Sequence, residues 1–223
     1  MVTFLKFNSY TFEGITANYL FMKIYLIIAL VFLSTLFCFG QKLKVKQGDF
    51  NFIKGQKEIN VEFVYDNMKL LKKNLSNDEY VKEHSAELEE KTRGKGTSWE
   101  KSWYASRELI YAPKFLELMN RYLYEDHNVF FSENLAEAKY TLIVETIWVY
   151  PGWDAGVMKQ PAKVSTLLKF VETNNRDNIL LEVTSENAPG DQWGSSFSNE
   201  DRLGEGYAKT GKSFAKLILK KGF

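Results

Sequence analysis

Cysteine is almost missing from this chain of 223 residues: Cys38 is the only one, and it lies in the N-terminal apolar run. The rest of the chain has no disulfide, no thiol nucleophile and no cysteine metal ligand, so its core alone must hold it. Histidine is nearly as scarce. His84 and His127 are far apart, and neither belongs to an H-x-x-x-H spacing or a His/Asp cluster, so no metal site and no cofactor is expected. There is no excess of either charge, with 29 basic residues against 28 acidic. A nucleic acid or an anionic membrane surface would call for a basic excess, and both are excluded as partners on that ground. No G-x-S-x-G nucleophile elbow, internal repeat or long low-complexity linker occurs.

There is one long hydrophobic run, residues 24–40 (IYLIIALVFLSTLFCFG), entered through Lys23 and left at Gln41-Lys42. A basic residue, an apolar stretch of this length and a small residue before a polar start make a secretory signal. A permanent anchor would need about 20 apolar residues, and Ser34 and Thr35 interrupt this run. Cleavage is therefore expected near Gln41, giving a periplasmic or secreted protein. Residues 1–21 precede Met22-Lys23, a conventional signal start, and read as an extended leader or an upstream start. Lipid attachment at Cys38 is disfavoured because Phe37, not a small residue, precedes it. Removing residues 1–40 takes away Lys6, Lys23 and Glu13 and leaves 183 residues with 27 charges of each sign. That is enough for a single domain over 41–223.

Periodicity divides this domain into strands, helices, strands and a last helix. Phe50, Phe52 and Ile53, a 54–57 turn, and Ile59, Val61 and Phe63 alternating with Asn60, Glu62 and Val64 predict a hairpin over 49–66. Ser76-Asn77-Asp78-Glu79 and Thr97-Ser98-Trp99-Glu100 match the capping box, so each should start a helix. The first spans about 78–92; the second should kink at Pro113 and resume with Phe115, Leu118, Met119, Tyr122 and Leu123 inward. Residues 140–150, 163–173 and 178–185 are rich in β-branched and aromatic side chains and read as a strand meander. A helix over 201–221 closes the chain, with Tyr207, Phe214, Leu217 and Ile218 along one side. The fold class is α+β, a largely antiparallel sheet with helices packed on one face.

Gly206-Tyr207-Ala208-Lys209-Thr210-Gly211-Lys212-Ser213 satisfies the phosphate-loop pattern G-x-x-x-x-G-K-[ST] letter for letter. No apolar strand precedes it, and a helical apolar period runs straight through it, so Gly211 and Ala208 read as small packing residues and no nucleotide partner is expected. Carboxylates on or near the strands, Glu145, Asp154, Glu172, Glu182 and Glu186, keep acid–base chemistry open. A distinctive surface candidate is 148–161 (WVYPGWDAGVMKQP), a long strand connection carrying Trp148, Tyr150 and Trp153 between prolines and glycines. Rigid aromatics on loops are favoured contact sites. Trp193, in the polar loop before the last helix, is a fourth candidate, and the bland alternative is an aromatic lid over the sheet end.

Through the order of its elements and the YPGWDAGVMKQPAKV stretch, residues 45–221 resemble uncharacterised secreted or periplasmic proteins of Gram-negative bacteria. More distantly they resemble the small α/β domains of cell-envelope lipoproteins. That resemblance carries over no site residue. The expected function is non-enzymatic binding of a cell-envelope protein or cell-wall glycan through the aromatic loop. The alternative is a periplasmic hydrolase using the strand-borne carboxylates.

Overall fold

The β-branched and aromatic runs of the C-terminal half become the longest strands of a mixed sheet. A computed structural model describes residues 40–154, 158–190 and 198–223, together with Lys23 and Tyr25. The chain divides into two compact units, residues 1–39 and 40–223. Apart from Tyr25 and Gly40, the expected signal run lies outside the described residues, as does Trp193.

In chain order the second unit holds β1 (Lys42–Gly48), a 3-10 turn (Asn51–Ile53), β2 (Glu58–Val64) and two short strands, β3 (Lys69–Leu70) and β4 (Leu75–Ser76). Then come α1 (Asn77–Lys91), α2 (Lys95–Ser106), a π-turn (Arg107–Tyr111) and α3 (Ala112–His127). Strands β5 (Phe130–Ser132), β6 (Tyr140–Tyr150), β7 (Trp153–Asp154), β8 (Lys159–Gln160), β9 (Ala162–Glu172) and β10 (Asn175–Gly190) follow, and α4 (Asn199–Gly222) ends the unit.

The main sheet runs β1-β10-β9-β6-β2-β5, with β3 added beside the end of β6. Its three longest strands form the expected antiparallel meander, and β1 extends it. On the other side β2 pairs parallel with both β5 and β6. The result is a single α+β domain, with an antiparallel half and a shorter parallel flank.

That flank corrects the expected N-terminal hairpin. The Asp49 carboxylate accepts the Asn51 N–H at 2.8 Å, tightening the chain into a turn. Phe50 and Ile53 then drop into the core instead of continuing a strand. After β2 the chain travels through three helices before returning, and such a crossover yields parallel pairing.

The first capping box forms as expected: Ser76 Oγ accepts the Glu79 N–H, and the Glu79 carboxylate accepts the Ser76 N–H at 2.8 Å. The second does not. Glu89 of α1 accepts the N–H groups of Gly94 and Gly96 at 2.6 and 3.0 Å, so α2 starts early, at Lys95, from Gly94 at φ 82°. At Pro113 there is also a difference. The irregularity is the π-turn before it, and proline occupies the first turn of α3, where its missing N–H costs nothing.

One face of the sheet carries the core. Along β9, Ala162, Val164, Thr166, Leu168 and Phe170 are fully buried, while Lys163, Leu167 and Lys169 on the opposite face are half-buried. Helix α4 covers the inner face with Tyr207, Phe214 and Ile218, and α3 adds Phe115, Met119 and Leu123. No helix among the described residues is long and apolar enough to cross a membrane.

Candidate functional site

Strand β6 changes phase near its end. Leu142, Val144 and Thr146 point inward and are fully buried, and then the pairing with β9 shifts between Thr146 and Trp148. Beyond that bulge Val149 becomes the buried residue, so Trp148 and Tyr150 turn to the outer face. Without the extra residue, the period of two would have sent both aromatic rings into the core.

The two rings lie nearly parallel, 12° apart with centroids separated by 6.3 Å. Trp148 Nε1 donates to the Leu71 carbonyl at 2.9 Å, and Leu71 N donates to Val149 O at 3.0 Å. Leu71 sits at φ 61°, an uncommon backbone for a leucine, and these two bonds hold it there. Next comes a small hairpin in which Trp153 pairs with Gln160 and Asp154 with Lys159. Gly152 is required at its base: φ is 73°, and a Cβ would stand 2.5 Å from the Gln160 carbonyl. From the start of α4, Arg202 Nε donates to the Pro151 carbonyl at 3.2 Å and ties the loop down.

The Gln160 side chain joins the aromatics. Its Oε1 accepts from the Tyr150 hydroxyl and from Trp153 Nε1, each at 3.2 Å. Three of the four expected aromatic residues are thus brought together by β6 and one hairpin, and Trp153 keeps 41% of its surface exposed. Trp148 and Tyr150 are half-buried, so part of the lid character is present in them. Gln160 was not among the residues the sequence singled out. Its place seven residues after Trp153, across a short glycine-containing connection, was the available signal.

The described strand-borne carboxylates are spread over β6, β9 and β10. Glu145 is bonded by Lys169 at 2.8 Å, which holds its carboxyl below the usual range against the opposing effect of burial. Glu182 and Glu186 lie on β10, pairing across the sheet with Lys169 and Lys42, and Glu172 ends β9. The side chain of Asp154 lies outside the described residues.

A cleft of about 480 Å³ does exist on the outer face, but other residues line it: Asn60, Glu62, Glu133, Asn134, Thr173 and Arg176. Arg176, at the start of β10, reaches Glu62 with two bonds, 2.6 and 2.8 Å, and this pairing lowers the Glu62 carboxyl. Glu133 is pushed up by burial and then by the charge of Glu108. Opposed shifts are the mark of an acid–base pair. Here, however, both oxygens of Glu62 are occupied by the guanidinium, which makes the pair a strap across the sheet. Among the described residues no three His, Cys, Asp or Glu side chains converge to hold a metal ion.

The phosphate-loop match lies in the interior of α4, where its backbone N–H groups belong to the helix. Its glycines serve packing. A Cβ on Gly206 would stand 2.6 Å from Val164 Cγ2, and one on Gly211 would stand 2.4 Å from the Phe115 carbonyl.

No protein-family model and no curated protein matches the chain. Among solved structures it is similar to the PelC dodecamer from Paraburkholderia phytofirmans, at 10% identity over 77% of this chain and 96% of that one, with a TM-score of 0.35. It is also similar to a neuraminyllactose-binding hemagglutinin homologue from Helicobacter pylori, at 14% identity over 73% and 89%, with a TM-score of 0.26. Both likenesses are distant.

Proposed function

We propose that this is an exported cell-envelope protein that acts by binding, and that it contacts an envelope protein or a cell-wall glycan through Trp148, Tyr150 and Trp153. Trp193 belongs to the proposed surface on sequence grounds alone. The observation that carries the reading is Trp153, whose indole N–H is tied to Gln160 while the residue stays 41% exposed. A large ring fixed at one end and open to solvent is what a contact residue requires. Export rests on the apolar run over 24–40 and on β1 starting at Lys42, just beyond the expected cleavage point.

Binding is preferred to hydrolysis because the ionised acid in the outer cleft, Glu62, has no oxygen free of Arg176. Substituting Trp153→Ala should weaken capture of the partner by about 1–2 kcal/mol, as loss of an aromatic anchor does, and leave the melting temperature almost unmoved. Calorimetric unfolding and a pull-down from the envelope fraction check both halves. A loss of several kcal/mol in stability with capture intact would assign Trp153 to a lid.

A further inference from the structure

The ligand class follows from which hydrogen-bonding groups at the aromatic surface are already used. Trp148 Nε1 is spent on the Leu71 carbonyl and Trp153 Nε1 on Gln160 Oε1. The Tyr150 hydroxyl gives its proton to the same Gln160 oxygen. With two aromatic donors converging on its oxygen, the amide of Gln160 is held in one orientation, and its Nε2 has no partner among the described residues. Trp148, Tyr150 and Trp153 therefore offer aromatic rings beside one oriented NH₂, that of Gln160, and neither of their two indole N–H groups is left over. An aromatic groove that reads a proline-rich peptide needs free donors for peptide carbonyls along its length, and here they are consumed.

We propose that this surface binds a saccharide, with a pyranose ring laid on the aromatic faces and a hydroxyl or ring oxygen accepting from Gln160 Nε2. The electron-rich face of an aromatic ring attracts the weakly positive C–H edge of its neighbour, and a pyranose has such C–H groups on its flat faces and acceptors around its rim. A few placed polar groups among apolar walls is the usual composition of a small-ligand site. Gln160 is then the residue that sets orientation. The inference rests on the reading of this surface as the contact site and narrows its occupant from protein or glycan to glycan.

The test is titration of the full-length protein, labelled at tryptophan indole nitrogens, with soluble hexasaccharides covering β-1,4, β-1,3 and α-1,4 linkages in neutral, N-acetylated and uronic forms. Saturable shifts of the Trp148 and Trp153 indole signals are expected with at least one of them. Gln160→Glu keeps an acceptor for both Tyr150 and Trp153 and replaces the donor NH₂ with a charged acceptor oxygen, so it should weaken that binding at least tenfold with the thermal transition unchanged. Trp153→Ala should do the same.

Saccharide binding indifferent to both substitutions overturns the inference, as does a panel without a shift. In the second case, a purified envelope protein whose binding is lost in Trp153→Ala would leave the contact surface standing with a different occupant. Loss of thermal stability in Trp153→Ala with no binding of either kind would remove both.

Discussion

His84 is clasped between two rings, with Tyr80 stacked at 5.6 Å and Trp99 edge-on at 4.5 Å. Burial there lowers its pKa from 6.5, outweighing the opposite pull of the Glu87 and Glu200 carboxylates, and Lys91 lowers it further. The unfolded chain therefore holds the proton more tightly than the folded one. The sign follows: the stability tied to neutral His84 is fully present above pH 6.5 and is lost as pH falls through the lower, folded value. Denaturant midpoints at pH 7.5 and 5.0 should drop in the natural protein and drop less in His84→Gln, and equal slopes would show that this histidine does not control the transition. No pattern in the sequence marked this residue. His84 lies on α1, and its second wall, Trp99, comes from α2.

At the scale of elements, α4 was legible because its apolar period is unbroken, although its small residues meet both the sheet, at Gly206, and α3, at Gly211. Its start is capped by Ser198, whose Oγ accepts the Asp201 N–H at 3.1 Å. Phe214 is fully buried and meets Phe170 of β9 at 6.0 Å. Phe214→Ala should destabilise the domain by about 3–5 kcal/mol, the usual result of emptying a buried phenylalanine site; a change within about 0.5 kcal/mol in chemical denaturation would mean that α4 docks differently. Gly211→Ala tests the close approach of α4 to α3 from the other side. Its Cβ would press on the Phe115 carbonyl, a backbone atom that cannot swing away, so helix propensity should lose to overpacking, with a net cost of about 1–3 kcal/mol. Less legible were the starts of α2 and α3. Glu89 caps α2 from the preceding helix, and the π-turn brings Tyr111 onto Tyr207 of α4 with ring centroids 4.7 Å apart. The first depends on a side chain five and seven residues upstream, outside the capping-box spacing, and the second on a partner across the core.

For the whole molecule, processing is the decisive prediction. Gln41 Nε2 donates to Ser185 Oγ at 2.8 Å and β1 begins one residue later, so cleavage after Gly40 would leave the edge strand intact. N-terminal sequencing of the exported protein should begin near Gln41, and a membrane-bound form retaining Met1 or Met22 would reject it. By itself the sequence determined the α+β class, the three-strand meander, the first capping box and the buried stripe of α4. Each is set by periodicity or by contacts a few residues apart. It also placed three aromatics at one strand end. Only the tertiary structure decided that β2 pairs parallel with β6, because pairing partners are chosen after the helices have returned the chain. Only the tertiary structure put Trp148 and Tyr150 on the outside. That outcome depends on one bulge residue between Thr146 and Trp148, and an alternating pattern read along a single strand carries no record of a shift in register with its neighbour.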